Sequence, residues 1–111
     1  MGAREFTLKR FGFPTRAVEN PVTAELKTSA EPVLKNNPDR VFWLIINLGA
    51  NVGFVALSSD VGPTKGVRLD TYGGWASMSV EEDGEAVAYE VHGVAPAGTS
   101  EIYVLEIEKL G

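Results

Sequence analysis

The sequence predicts an all-β fold, an antiparallel β-sandwich or flattened barrel of about eight strands with an N-terminal arm. Three observations predict it. Helical periodicity is nearly absent. Period-two alternation, broken by turn residues, recurs at intervals of about ten residues. And Val41 to Ile46 is a short apolar run of mostly β-branched and aromatic residues, bounded by Asn37-Pro38-Asp39-Arg40 and by Asn47-Leu48-Gly49-Ala50-Asn51. A run of that length and composition reads as a strand covered on both faces, with Trp43 in the core.

The elements follow in chain order. Residues 1–20 read as an irregular arm, and residues 21–111 as the sandwich. In the arm Phe6 and Leu8 alternate, and then Phe11, Gly12, Phe13 and Pro14 break the pattern. These phenylalanines are costly to leave in water, so they pack on this domain or on a neighbour. Pro21 to Ser29 alternates Val22, Ala24 and Leu26 against Thr23, Glu25 and Lys27, the mark of a sheet with one wet face. Glu31 and Pro32 interrupt pairing, and Val33 to Lys35 resumes it at an edge, where proline is tolerated.

Arg40 to Asn47 comes next, with Asn51 to Leu57 as its expected hairpin partner. Ser58 to Gly66 reads as a polar loop and Val67 to Leu69 as a short strand. Tyr72-Gly73-Gly74 turns the chain into Trp75 to Val80, a strand expected to pack Trp75 over the sheet. Asp83-Gly84 reads as a hairpin turn leading into an alternating segment from Ala86 to Val91. After a loop from Gly93 to Ser100, Glu101 to Leu110 is the last strand. A helix from Tyr103 also fits that stretch, but its Ile and Val content favours strand.

Composition bounds the chemistry. The chain has 111 residues, so one domain is expected. It has no cysteine and one histidine, His92, which leaves no disulfide, thiol nucleophile or usual zinc site. A Ser-His-Asp triad needs His92 with one of Ser58, Ser59, Ser77, Ser79 or Ser100, and no nucleophile elbow surrounds any of these. Glu81, Glu82, Asp83 and Glu85 lack the ligand spacing of an EF-hand, and a charged hairpin tip is the simpler reading. Gly49 to Gly53 joins strand to strand, whereas a dinucleotide site needs a strand-to-helix turn. Neither a catalytic group, a cofactor nor a metal site is therefore expected. Tyr72 and Trp75 beside Gly73-Gly74 form a candidate stacking platform for sugar rings.

Net charge is −5 and unevenly spread. Residues 1–40 hold seven basic and five acidic side chains, and residues 41–111 hold three and ten. An acidic body argues against direct nucleic-acid binding, and opposite signs suit association of the arm with a neighbour. No apolar run approaches the ~20 residues of a membrane helix, and the N-terminus lacks the apolar core of a signal peptide. The absence of glutamine is a weak thermophile signal.

One outline spans residues 37–108. It runs Asn37-Pro38-Asp39-Arg40 and a strand, Asn47-Leu48-Gly49-Ala50-Asn51, Val55 to Ser59, Thr64-Lys65-Gly66-Val67-Arg68-Leu69, and Val104-Leu105-Glu106 in the last strand. It resembles small β-sandwich structural proteins of tailed phages and related viruses. The resemblance implies a non-enzymatic virion component, of the capsid-decoration, head-fibre or tail-associated type, placed in the virion or otherwise in the cytoplasm. Its partners would be itself, as a homo-oligomer such as a trimer, and other virion proteins. The assembling residues would be Arg4, Phe6, Lys9, Arg10, Phe11 and Phe13 of the arm. The alternative is a carbohydrate-binding module using Tyr72 and Trp75.

Overall fold

In the computed structural model, which describes residues 12–110, nine strands form two antiparallel sheets facing each other across an apolar core. The strands are β1 (Thr15–Glu19), β2 (Glu25–Leu26), β3 (Glu31–Leu34), β4 (Arg40–Asn47), β5 (Gly53–Ala56), β6 (Val67–Leu69), β7 (Trp75–Ser79), β8 (Val91–Val94) and β9 (Ser100–Lys109). The first sheet has the order β1-β9-β4-β7, with β2 also on β9; the second has the order β3-β8-β5-β6. The sandwich expected from the sequence is therefore present. The arm residues Arg4, Phe6, Lys9, Arg10 and Phe11 lie outside the described residues.

Part of the stretch expected to be irregular belongs to the sheet. Thr15–Glu19 pairs along the C-terminal half of β9, Thr15 opposite Lys109 and Glu19 opposite Leu105. Asn20 then takes a left-handed φ of 45°. Its backbone N–H donates to the Val104 carbonyl at 2.7 Å, and its side-chain oxygen accepts from the Val104 N–H at 2.8 Å. Asparagine tolerates that conformation because its short amide can bond locally. So residues 15–26 act as one kinked edge partner of β9, and β2 is only its last two paired residues. Within it Leu26 is buried, while Val22 of the expected alternation is exposed. Leu26 sits directly on two glycines. A Cβ on Gly53 would fall 2.3 Å from its Cδ1, and one on Gly93 would fall 2.6 Å from its Cδ2.

β3 is an edge strand, as its proline requires, and it includes Glu31 and Pro32. β4 is central between β9 and β7. Trp43 and Ile45 enter the core, whereas Phe42, Leu44 and Ile46 on the other face are only half-buried. Coverage on both faces is thus incomplete. β5 is not the hairpin partner of β4: it lies in the opposite sheet, between β6 and β8. The reason is Asn47, whose fully buried side chain makes the corner between the sheets.

Asp83-Gly84 is not a hairpin turn either. Ser79 caps a single helical turn, α1 (Val80–Asp83), which runs into a 3-10 turn, Gly84–Ala88. The Ser79 hydroxyl accepts from the Glu82 N–H at 3.3 Å, and the Asp83 carboxylate accepts from the Ser79 N–H at 2.9 Å. This reciprocal capping, with acids in the first turn, stabilises a helix start. Val87 anchors the 3-10 turn in the core. Ser79→Ala is expected to cost about 1 kcal/mol, read as a lower urea midpoint with unchanged slope.

Candidate functional site

The two polar flanks of β4 fold into two buried knots. At the first, a bulge between Arg40 and Phe42 turns Arg40 into the end of the sandwich, where it is 2% exposed. Its guanidinium Nε donates to Glu106 at 2.8 Å. Nη1 donates to the carbonyls of Val87 and Tyr89 at 3.0 and 3.1 Å, and Nη2 donates to the Lys35 carbonyl. Asn37 bridges Glu106 and Glu108 at 2.8 and 3.0 Å, and Arg16 of β1 donates to Glu108 at 3.0 Å. One cation thus ties the 3-10 turn, the loop after β3 and the last strand together.

At the second knot, Asn47 Nδ2 donates to the carbonyls of Asn51 at 2.8 Å and Leu69 at 3.1 Å. Its Oδ1 accepts from the Gly49 N–H at 3.1 Å and the Ser100 hydroxyl at 2.7 Å. Asn51 in turn donates to the Thr99 carbonyl at 3.0 Å. The residues flanking β4 in the phage-like outline are therefore joints of the sandwich, and the Asn47 amide has its hydrogen-bonding capacity filled by the protein.

The residues screened for catalysis fall apart in space. His92 Nε2 lies 2.8 Å from Glu90 Oε1, a pairing between neighbours on one strand end. Ser100 is committed to Asn47 and Ser79 to the helix cap. Among the described residues, no group of three His, Asp or Glu side chains is placed to hold a metal ion. No helix of the described chain is long and apolar enough to cross a membrane.

Of the arm residues, Phe13 is described: the Lys109 ammonium sits 5.5 Å from its ring centroid, on its own domain. Tyr72 and Trp75 are 74% and 64% exposed. Trp75 begins β7 as expected, but it does not pack inward: Ala76 and Met78 of the same strand lie against the core instead. Tyr72 holds a left-handed φ of 54°, with its N–H on the Gly49 carbonyl at 3.1 Å.

Sequence reading missed the outer face of the first sheet. The cross-strand pairs Phe42–Ile107, Leu44–Leu105 and Ile46–Tyr103 join β4 to β9, and Ile46–Trp75 joins β4 to β7. Opposed residues share a face, so these side chains form one apolar row across three strands, none of them in the core clusters. The signal was in β9, where Tyr103, Leu105 and Ile107 alternate with core residues. At the margin of this row the Tyr103 hydroxyl donates to Glu19 at 2.7 Å. That bond, and the negative charge of Glu19, raise the phenol above its usual pKa of 10.0. The folded state therefore holds this proton more tightly, and the stabilisation is lost as pH rises through the folded value, on the alkaline side of 10. An ultraviolet phenolate titration should show one tyrosine ionising late, and Glu19→Gln should bring it back towards the others.

No family model matches the chain, and no curated protein matches it. Among solved structures it is similar to a chain from a structure described as "Bacillus endospore appendages form a novel family of disulfide-linked pili". The identity is 17% and the TM-score 0.44, over 87% of this chain and 86% of that one.

Proposed function

We propose that the chain is a non-enzymatic structural protein whose copies assemble through the N-terminal arm and the outer face of the first sheet. The observation that carries this is the apolar row Phe42, Leu44, Ile46, Leu105 and Ile107, continued by Trp75. These side chains are half-buried and Trp75 is exposed, and an apolar patch left partly open outside the core is characteristic of an interaction surface. Arg4, Phe6, Lys9, Arg10 and Phe11 supply cationic and aromatic groups to a body whose residues 41–111 are strongly acidic. In its finer form the reading is a virion component, decorating a capsid or associated with a tail. The outline of residues 37–108 supports that form, and capsid or tail genes on either side of the coding sequence would test it.

Removing residues 1–11 tests the arm, because the cut stops short of β1. The expected outcome is a lower solution mass with unchanged β content; an unchanged oligomer argues against the arm.

A second reading has its own observation, the exposure of both Tyr72 and Trp75. Exposed aromatic faces stack on sugar rings, so glycan-array binding lost in Trp75→Ala would favour a carbohydrate-binding module. An empty array removes it.

A further inference from the structure

A cavity of about 150 Å³ opens at one side of the sandwich, where β7, an edge of the first sheet, faces β6, an edge of the second. Its walls include Trp43, Val55, Val67, Ala76, Met78 and Asp83. Trp43 is 4% exposed, and its indole Nε1–H is buried with no hydrogen-bond acceptor. Buried tryptophan N–H groups ordinarily find an acceptor, and one left without carries a desolvation cost. Met78 pairs directly with Trp43 across the strands and lines the same cavity. Its flexible thioether chain can repack around an entering group.

We propose that this slot receives the Phe6-Thr7-Leu8 stretch of a second copy's arm, with the Phe6 ring in the cavity and a backbone carbonyl of the stretch accepting from Trp43. The proposal rests on the assembly reading above and names the surface that the arm meets. Size supports it, since an apolar cavity of about 150 Å³ accepts a benzene-sized group. Charge supports it too. Residues 1–11 carry Arg4, Lys9 and Arg10 against Glu5, whereas residues 80–88, beginning beside the slot, hold four acidic side chains and no basic one. Asp83 of that segment is on the wall itself. The choice of a second copy follows from the assembly reading: the start of β1 is roughly 14 Å across the sheet from β7, a span that about nine extended residues also cover, so the mixing experiment below separates a second copy's arm from the chain's own.

The test is complementation with full-length chains. Phe6→Ser removes the inserted ring but keeps the slot. Val67→Lys, at an exposed position of the slot, places a cation against the basic arm but keeps the arm; Ala76→Leu fills the slot from inside as a second variant. Each alone should self-associate about 10-fold or more weakly than the parent. Mixing Phe6→Ser with Val67→Lys should restore association as a heterodimer. In the parent, whose two indole N–H resonances are assigned by comparison with Trp75→Phe, the Trp43 resonance should move downfield as the protein associates. Association unchanged in all three variants, or lost in them without recovery on mixing, or an indole resonance that stays fixed, overturns the slot while leaving assembly standing. A parent that is monomeric at every concentration overturns the assembly reading itself.

Discussion

Arg40→Ala is expected to lower the unfolding free energy by about 3–5 kcal/mol, because it strands a buried carboxylate. Glu106 is 5% exposed, and after the change only Asn37 still donates to it among the side chains of the knot. The carbonyls of Lys35, Val87 and Tyr89 lose a donor at the same time. In a domain whose whole stability is about 5–15 kcal/mol, this is a large share of the total. Arg40→Lys should rescue little, since an ammonium keeps the charge but cannot spread donors in a planar fork over these acceptors. Arg40→Met with Glu106→Leu should recover only part of the loss: it removes the stranded charge but leaves the three carbonyls unmet. Urea unfolding of the four proteins checks the order, with Arg40→Ala lowest.

Gly49→Ala should destabilise by about 1–3 kcal/mol from overpacking, and by about 1 kcal/mol more if the Ser100 hydrogen bond is lost. A Cβ at position 49 would lie 2.1 Å from the Ser100 Oγ and 2.8 Å from the Glu101 backbone nitrogen. Ser100 cannot turn away without giving up its bond to Asn47. Glu101 cannot move freely, because its carbonyl accepts from the Leu48 N–H at 2.8 Å. Adding Ser100→Ala should relieve the side-chain clash but not the backbone one, so the double variant should be better than additive yet below the parent. Thermal unfolding followed by circular dichroism measures this. The position demands glycine for closeness of approach and not for a left-handed backbone.

How much of this was legible in the sequence differs from element to element. The strands with strong alternation or dense apolar runs, β4, β6, β7 and β9, could be read from residue pattern, and so could the burial of Trp43. What pairs with what could not. The Asn47 to Asn51 stretch has the composition of a hairpin turn, and only the burial of the Asn47 amide reveals a corner between sheets. Asp83-Gly84 has the dipeptide of a hairpin, but Ser79 three residues before Glu82 is a helix-start signal, and local capping prevailed over turn propensity. β1 was hidden because Thr15 to Glu19 has little apolar content; its pairing comes from the backbone, the Arg16–Glu108 bond and the Asn20 kink. Trp75 was expected inward because tryptophan usually is, yet strand alternation hands the inner positions to Ala76 and Met78. The apolar row on the first sheet was written in β4 and β9, but it needs their register to become a surface.

The solution mass of the intact chain, measured by light scattering across a range of concentrations, tests self-assembly most directly. A protomer is 11.9 kDa. The expected result is a discrete multiple of that mass, collapsing to the protomer in Leu44→Lys, which puts a charge in the middle of the apolar row. A single protomer mass at every concentration, in parent and variant alike, would contradict it.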